Sequence, residues 1–130
     1  MITLKEKTNE SAENYLETIL ILSLKKSYVR SIDIANELGF SKPSVSVAMK
    51  NLRENHYITV ASDGNISLTD AGRAIAETIY ERHTFLSSWL TQLGVPSEIA
   101  SEDACRIEHV ISSESFEALK KHVSMHTDKL

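Results

Sequence analysis

With 130 residues, 42% apolar and 25% charged, the chain is sized for one ordinary domain or two small ones sharing a core, and four Gly and two Pro favour helices over a loop-rich or all-β design. No apolar run approaches the ~20 residues needed to cross a bilayer, Met1–Asn9 is too polar for a signal peptide, and a single cysteine excludes an internal disulfide, so a reducing cytoplasm is expected. The formal charge of −4 is unevenly spread: residues 1–60 hold eight Lys/Arg against seven Asp/Glu, and residues 61–130 hold six against eleven. A near-neutral front half can still bind DNA, whereas the acidic rear half would repel it or attract cations.

Tyr15, Leu16, Ile19, Leu20, Leu22 and Leu24 supply apolar groups at helical spacing, which predicts a first helix over roughly Ser11–Lys25. Asn14, Glu17 and Ile21 fall on a stripe beside that face. Ser31–Leu38 reads as a short second helix, with Ile34, Ala35 and Leu38 inward and Gly39 ending it. Ser41 can cap a third helix, and Pro43 is acceptable in a first turn because its missing N–H has no intrahelical partner there. Val45, Met49 and Leu52 then bury one face, with Ala48 beside them, and leave Lys42, Ser46, Val47 and Lys50 on the other.

Tyr57–Ala61 and Asn65–Leu68 are β-prone runs joined by Ser62-Asp63-Gly64, a strong hairpin signal. Thr69 can cap a long helix over about Asp70–Leu93, with Ala71, Ile75, Ala76, Ile79, Phe85, Leu86, Trp89 and Leu90 available for packing. Gly94-Val95-Pro96 breaks it. Two further helices are expected over Glu98–Ser112 and Glu114–Val123. A short helix, a tight turn, a capped helix and a hairpin together describe a winged helix–turn–helix. Its third helix would enter the major groove. There Ser41, Ser44 and Ser46 can reach phosphates or base edges, Lys42 and Lys50 can neutralise phosphates, and Pro43 or Val47 can meet a thymine methyl.

Cys105, Glu108 and His109 stand at i, i+3 and i+4, so on a helix all three side chains leave one face. A thiol, a carboxylate and an imidazole so arranged are a half-built transition-metal site. His83 lies upstream on another helix, and Asn14 and Glu17 on the first. Taken singly, each has a plainer reading: a lone Cys is usually a small apolar group, and Glu17 a solvated helix residue. His56, His122, His126 and Asp103 read as ordinary surface residues. Phe85, Trp89, Leu90, Ile107, Val110, Ile111, Phe116 and Leu119 are more apolar surface than a lone winged helix needs, so part of it should be a twofold interface.

Both halves resemble the metal-dependent repressors of the diphtheria toxin repressor family, over nearly the whole chain. The residues that carry the likeness are Ala12-Glu13-Asn14-Tyr15-Leu16-Glu17-Thr18-Ile19, Ser41-Lys42-Pro43-Ser44-Val45-Ser46, Leu68-Thr69-Asp70-Ala71-Gly72-Arg73, Glu81-Arg82-His83 and, most specifically, Asp103-Ala104-Cys105-Arg106-Ile107-Glu108-His109-Val110-Ile111-Ser112. The resemblance implies a mainly α protein. An N-terminal winged helix–turn–helix with a two-stranded wing (residues 1–72) would precede an all-helical dimerisation and metal-binding domain (residues 73–130). It further implies a cytoplasmic homodimer, not an enzyme, that binds palindromic double-stranded operator DNA when loaded with a transition-metal ion and controls metal-homeostasis genes. The chain ends at Leu130, as in the shorter two-domain members of the family.

The same resemblance maps a primary metal site onto Asn14, Glu17, His83, Cys105, Glu108 and His109. Cys105 is the iron-type residue, Glu17 the manganese-type one, and Asn14 fits neither. Two positions of the iron type's ancillary site fall on Ser87 and Ser101, which are poor ligands. A thiolate suits Fe(II) better than hard Mn(II), whereas the carboxylates and the Asn14 amide oxygen pull the other way. Fe(II) is therefore expected ahead of Mn(II). The alternative function is a winged-helix regulator in which Cys105 senses oxidation, or which binds an organic effector. A catalytic metal would need an open position with a nearby base, and neither a His-Glu-x-x-His motif nor a phosphate loop is present.

Overall fold

Helix α1 (Glu10–Lys25) opens the first of two units into which the chain divides, Met1–Thr78 and Ile79–Leu130. The computed structural model describes residues 10–127. Met1–Asn9, read above as too polar for a signal peptide, and Leu130 lie outside the described residues. Tyr15, Leu16, Ile19, Leu20 and Leu22 of α1 are buried as their spacing predicts, but Leu24 is 66% exposed. Everything from Ser23 to Lys26 is exposed, because the helix outruns the core in its last turn.

Asp33 organises the start of α2 (Ser31–Leu38) by accepting from the Arg30 N–H at 2.9 Å and from Lys26 Nζ at 2.7 Å. Gly39 ends the helix in the left-handed region, at φ 70°, where a side chain is disfavoured. Ser41 caps α3 (Lys42–Glu54) by accepting from the Ser44 N–H at 3.3 Å, with Pro43 in the first turn. Val45, Met49 and Leu52 are buried, as expected.

Strands β1 (Ile58–Val60) and β2 (Ile66–Leu68) pair antiparallel, Ile58 opposite Leu68 and Val60 opposite Ile66. Each is shorter than its β-prone run because residues 61–65 form the turn, held by Asp63 Oδ1 accepting from the Asn65 N–H at 3.0 Å. The hairpin is pinned to the α1–α2 linker: Ile66 N donates to Val29 O at 2.8 Å, and Val29 N to Asn65 Oδ1 at 3.1 Å. Ile58 and Ile66 thereby join the α1–α3 core.

Thr69 caps α4 (Asp70–Gln92) by accepting from the Gly72 N–H at 3.1 Å. A Cβ at Gly72 would sit 2.0 Å from the Tyr57 carbonyl oxygen, so this helix start tolerates no side chain. Ala71, expected to be available for packing, is exposed.

In the second unit, α4 continues with Arg82, His83, Phe85, Leu86 and Trp89, followed by α5 (Ser97–Ile107) and α6 (Ser113–Thr127). Leu86, Ala104 and Phe116 form its buried cluster, edged by Phe85, Trp89, Ile107 and Ile111. Phe85 meets Phe116 edge-on, with ring centroids 5.5 Å apart, a favoured aromatic geometry. Val110, grouped above with the packing residues, is 70% exposed.

Helix α5 ends five residues earlier than the sequence predicts. Glu108 is its C-cap, still right-handed at φ −58° and ψ −25°, and a turn follows. The reason is a competing donor: Arg82 Nη1 donates to the carbonyls of Glu108 at 3.1 Å and Ile111 at 2.9 Å. Arg82 Nη2 adds Ser113 Oγ at 3.2 Å, and Ser112 Oγ caps α6 through the Ser115 N–H at 3.0 Å. Carbonyls that would have continued one helix are satisfied by a side chain instead.

Candidate metal centre and recognition helix

His83 leaves the middle of α4, Cys105 the last turn of α5, and Glu108 its C-cap. One donor atom from each lies within 4.8 Å of the other two. Glu108 is fully buried, and its Oε1 is 2.8 Å from His83 Nδ1. Its other oxygen, Oε2, is buried with no hydrogen-bond partner. A buried carboxylate oxygen left without a donor is costly, and a cation satisfies it. Cys105 is exposed, so its thiol forms the open wall of the cluster.

His109 is in the turn after α5, outside that triad. Its side chain is 5% exposed, and Nε2 lies 3.8 Å from Glu108 Oε2, too far for a hydrogen bond. The one-face helical arrangement expected of Cys105, Glu108 and His109 thus holds for the first two and stops before the third. Asn14, half-buried, and Glu17, buried, are on α1 in the first unit. The other four belong to the second.

An imidazole, a carboxylate and a thiol, with a second imidazole adjacent, fit a divalent first-row transition ion. The sequence also holds two supporting residues that were not recognised. Arg82 is buried and ties α4 to the turn that carries Glu108 and His109, with its guanidinium 5.6 Å from the Phe116 ring centroid. It donates to the main chain of Glu108 and not to its carboxylate. The signal was present: Arg82 falls on the Ile79–Leu86 stripe, where a charged residue has no place unless it is paired. Ser101, dismissed as a poor ligand, has its Oγ 3.5 Å from His83 Nε2.

Helix α3 presents the seven residues predicted to face DNA, and all of Ser41, Lys42, Pro43, Ser44, Ser46, Val47 and Lys50 are exposed. Val47, at 60%, is an apolar side chain that the fold leaves exposed. Ser41 Oγ donates to Ser44 Oγ at 2.9 Å, so the Ser44 proton stays available to an acceptor outside the helix.

Residues 7–66 match the model of the iron-dependent repressor N-terminal DNA-binding domain, and residues 69–128 that of the iron-dependent repressor metal-binding and dimerisation domain. The chain is 32% identical over 117 residues to the transcriptional regulator MntR of Salmonella typhimurium, covering 90% of this chain and 74% of that protein. The chain belongs to the iron-dependent repressor family. It is also 30% identical over 124 residues to an HTH-type transcriptional regulator, MJ0568, of Methanocaldococcus jannaschii, covering 94% of this chain and 99% of that one. Among solved structures, the manganese regulator SloR superposes with a TM-score of 0.78 at 26% identity, over 87% of this chain and 53% of that one. The chain therefore spans about half the length of SloR and of the T. acidophilum IdeR structure that it also matches. Family members are metal-dependent transcriptional regulators with a winged-helix front domain, as the sequence predicted. The oxidation-sensing and organic-effector alternatives gain nothing from these relatives.

Proposed function

We propose that this chain is a metal-dependent transcriptional repressor, acting as a homodimer on palindromic operator DNA in the cytoplasm. The observation that carries this reading is the buried Glu108, with one oxygen on His83 and the other unpartnered, beside the Cys105 thiol. His83, Cys105, Glu108 and His109 are the ligands proposed from the second unit. Asn14 and Glu17 complete the set carried over from the family's pattern. A bound divalent ion would supply the positive charge that the buried Glu108 carboxylate lacks.

The chain's own groups do the rest. Lys42 and Lys50 neutralise phosphates, Ser41, Ser44 and Ser46 donate to phosphates or base edges, and Pro43 and Val47 offer apolar contact to thymine. The choice of ion rests on two opposed facts. Relatives described as manganese regulators favour Mn(II); the thiol of Cys105 favours Fe(II). Mn(II) is the better supported, which reverses the order expected from the ligand chemistry alone.

The test is an anaerobic titration of Mn(II) and Fe(II) against binding to a duplex selected from a random pool by the loaded protein, at fixed salt. Operator affinity should rise with ion by roughly 5–150-fold, the usual span of such coupling. Glu108→Gln should abolish the rise. Equal operator affinity with and without ion would overturn the reading.

A further inference from the structure

His122 and His126 stand one turn apart on α6, and the metal centre gives neither a role. Their ring centroids are 4.0 Å apart, tilted by 34°. Both residues are exposed. His126 Nδ1 lies 2.9 Å from the His122 carbonyl oxygen. A carbonyl oxygen only accepts, so Nδ1 carries the proton, and the lone pair of the neutral ring is at Nε2. Metal-ligating histidines favour this arrangement, one ring N–H given to a carbonyl or carboxylate and the other nitrogen left for the ion.

Met125 is i+3 from His122 and 56% exposed. The three side chains therefore leave one face of the helix, and core packing does not account for an exposed methionine there. Glu117, the nearest preceding carboxylate on α6, is paired with Lys120 at 3.3 Å.

We propose that His122, Met125 and His126 form a second metal-binding face, independent of the His83 centre, and that its ion is Cu(I). Two imidazoles accept any late first-row ion, but a thioether selects Cu(I) over Mn(II) and Fe(II). The ion is bound and released without change of oxidation state. The face is open to solvent, so the ion exchanges with the medium.

The experiment uses the full chain with Cys105→Ser, which removes the competing thiolate by an exposed substitution. Cu(I) is titrated anaerobically against a colorimetric Cu(I) chelator. One equivalent should be held, and His122→Ala with His126→Ala should weaken it by more than the roughly 10–100-fold that losing one supporting hydrogen bond costs a metal site. Met125→Leu should weaken Cu(I) and leave Zn(II) affinity unchanged. All three positions are exposed, so circular dichroism should not change. A Cys105→Ser chain that takes no Cu(I), or holds it equally well without both histidines, overturns the site. Cu(I) affinity unmoved by Met125→Leu overturns the assignment of copper.

Discussion

Among the described residues, fourteen buried apolar side chains of the first unit form one cluster, from Tyr15 to Ala76, whereas the cluster of the second has three, Leu86, Ala104 and Phe116. Beside those three lie a buried arginine and a buried glutamate. The first unit is held by apolar burial and by caps at Ser41 and Thr69, with Glu17 on α1 buried as well. The second relies on a hydrogen-bonded arginine and on a carboxylate with an open oxygen. The difference teaches where each kind of sensitivity should reside: the apolar core of α2, α3 and the hairpin should be stable whatever the ion, and the ion-binding unit should be labile without it.

The sharpest test on the apolar side is Ile34→Ala, at a fully buried position on α2, which should cost about 2–5 kcal/mol. Chemical denaturation should show the loss equally with and without Mn(II). On the polar side, Mn(II) at a hundred times its Kd should stabilise the folded chain by about 2.7 kcal/mol. Hydrogen exchange should place that gain in α5 and in the turn carrying Glu108 and His109, while α2 and α3 stay unchanged; uniform protection would erase the contrast between the units.

Arg82→Met keeps the stem over Phe116 but removes the donors to Glu108 O and Ile111 O. Ion affinity should fall roughly 10–100-fold, as for other groups that orient ligands. Co(II) bound to the variant should also show a weakened thiolate charge-transfer band, which a uniformly destabilised but intact site would retain.

Smallest of all is Asp33→Asn in the first unit. The hydrogen bonds from Lys26 and from the Arg30 backbone hold the Asp33 carboxyl below its ordinary value. Its contribution is therefore complete above the ordinary aspartate range and fades as pH falls through the lowered folded value. Wild type and variant should differ by under about 1 kcal/mol at neutral pH, as for exposed pairs, and converge in acid. A gap that widens on acidification would contradict the assignment.

Most of the first unit was legible in the chain because its determinants are local. Ser41, Pro43, Gly39, Thr69 and Asp63-Gly64 each act within four residues, and the 3.6-residue spacing of Val45, Met49 and Leu52 needs no distant partner to be read. Residues Cys105, Glu108 and His83 were legible as donor types at a suggestive spacing. The end of α5 was not, since it is set by Arg82, more than twenty positions upstream, and periodicity carries no information about a side chain that arrives from another helix. The exposure of Leu24 and Val110 was hidden for the same reason, because a helix face is apolar by sequence but buried only if something covers it.

By itself, then, the order of residues determined the helices, the hairpin, the surface that α3 presents and the chemical kinds of donor in the second unit. Tertiary structure alone decided that His83 meets Glu108, that one carboxylate oxygen is left open, and that His109 falls in a turn. Spacing along a chain dictates local geometry through backbone hydrogen bonds, whereas the convergence of distant groups depends on which buried polar atoms can satisfy one another once the helices pack.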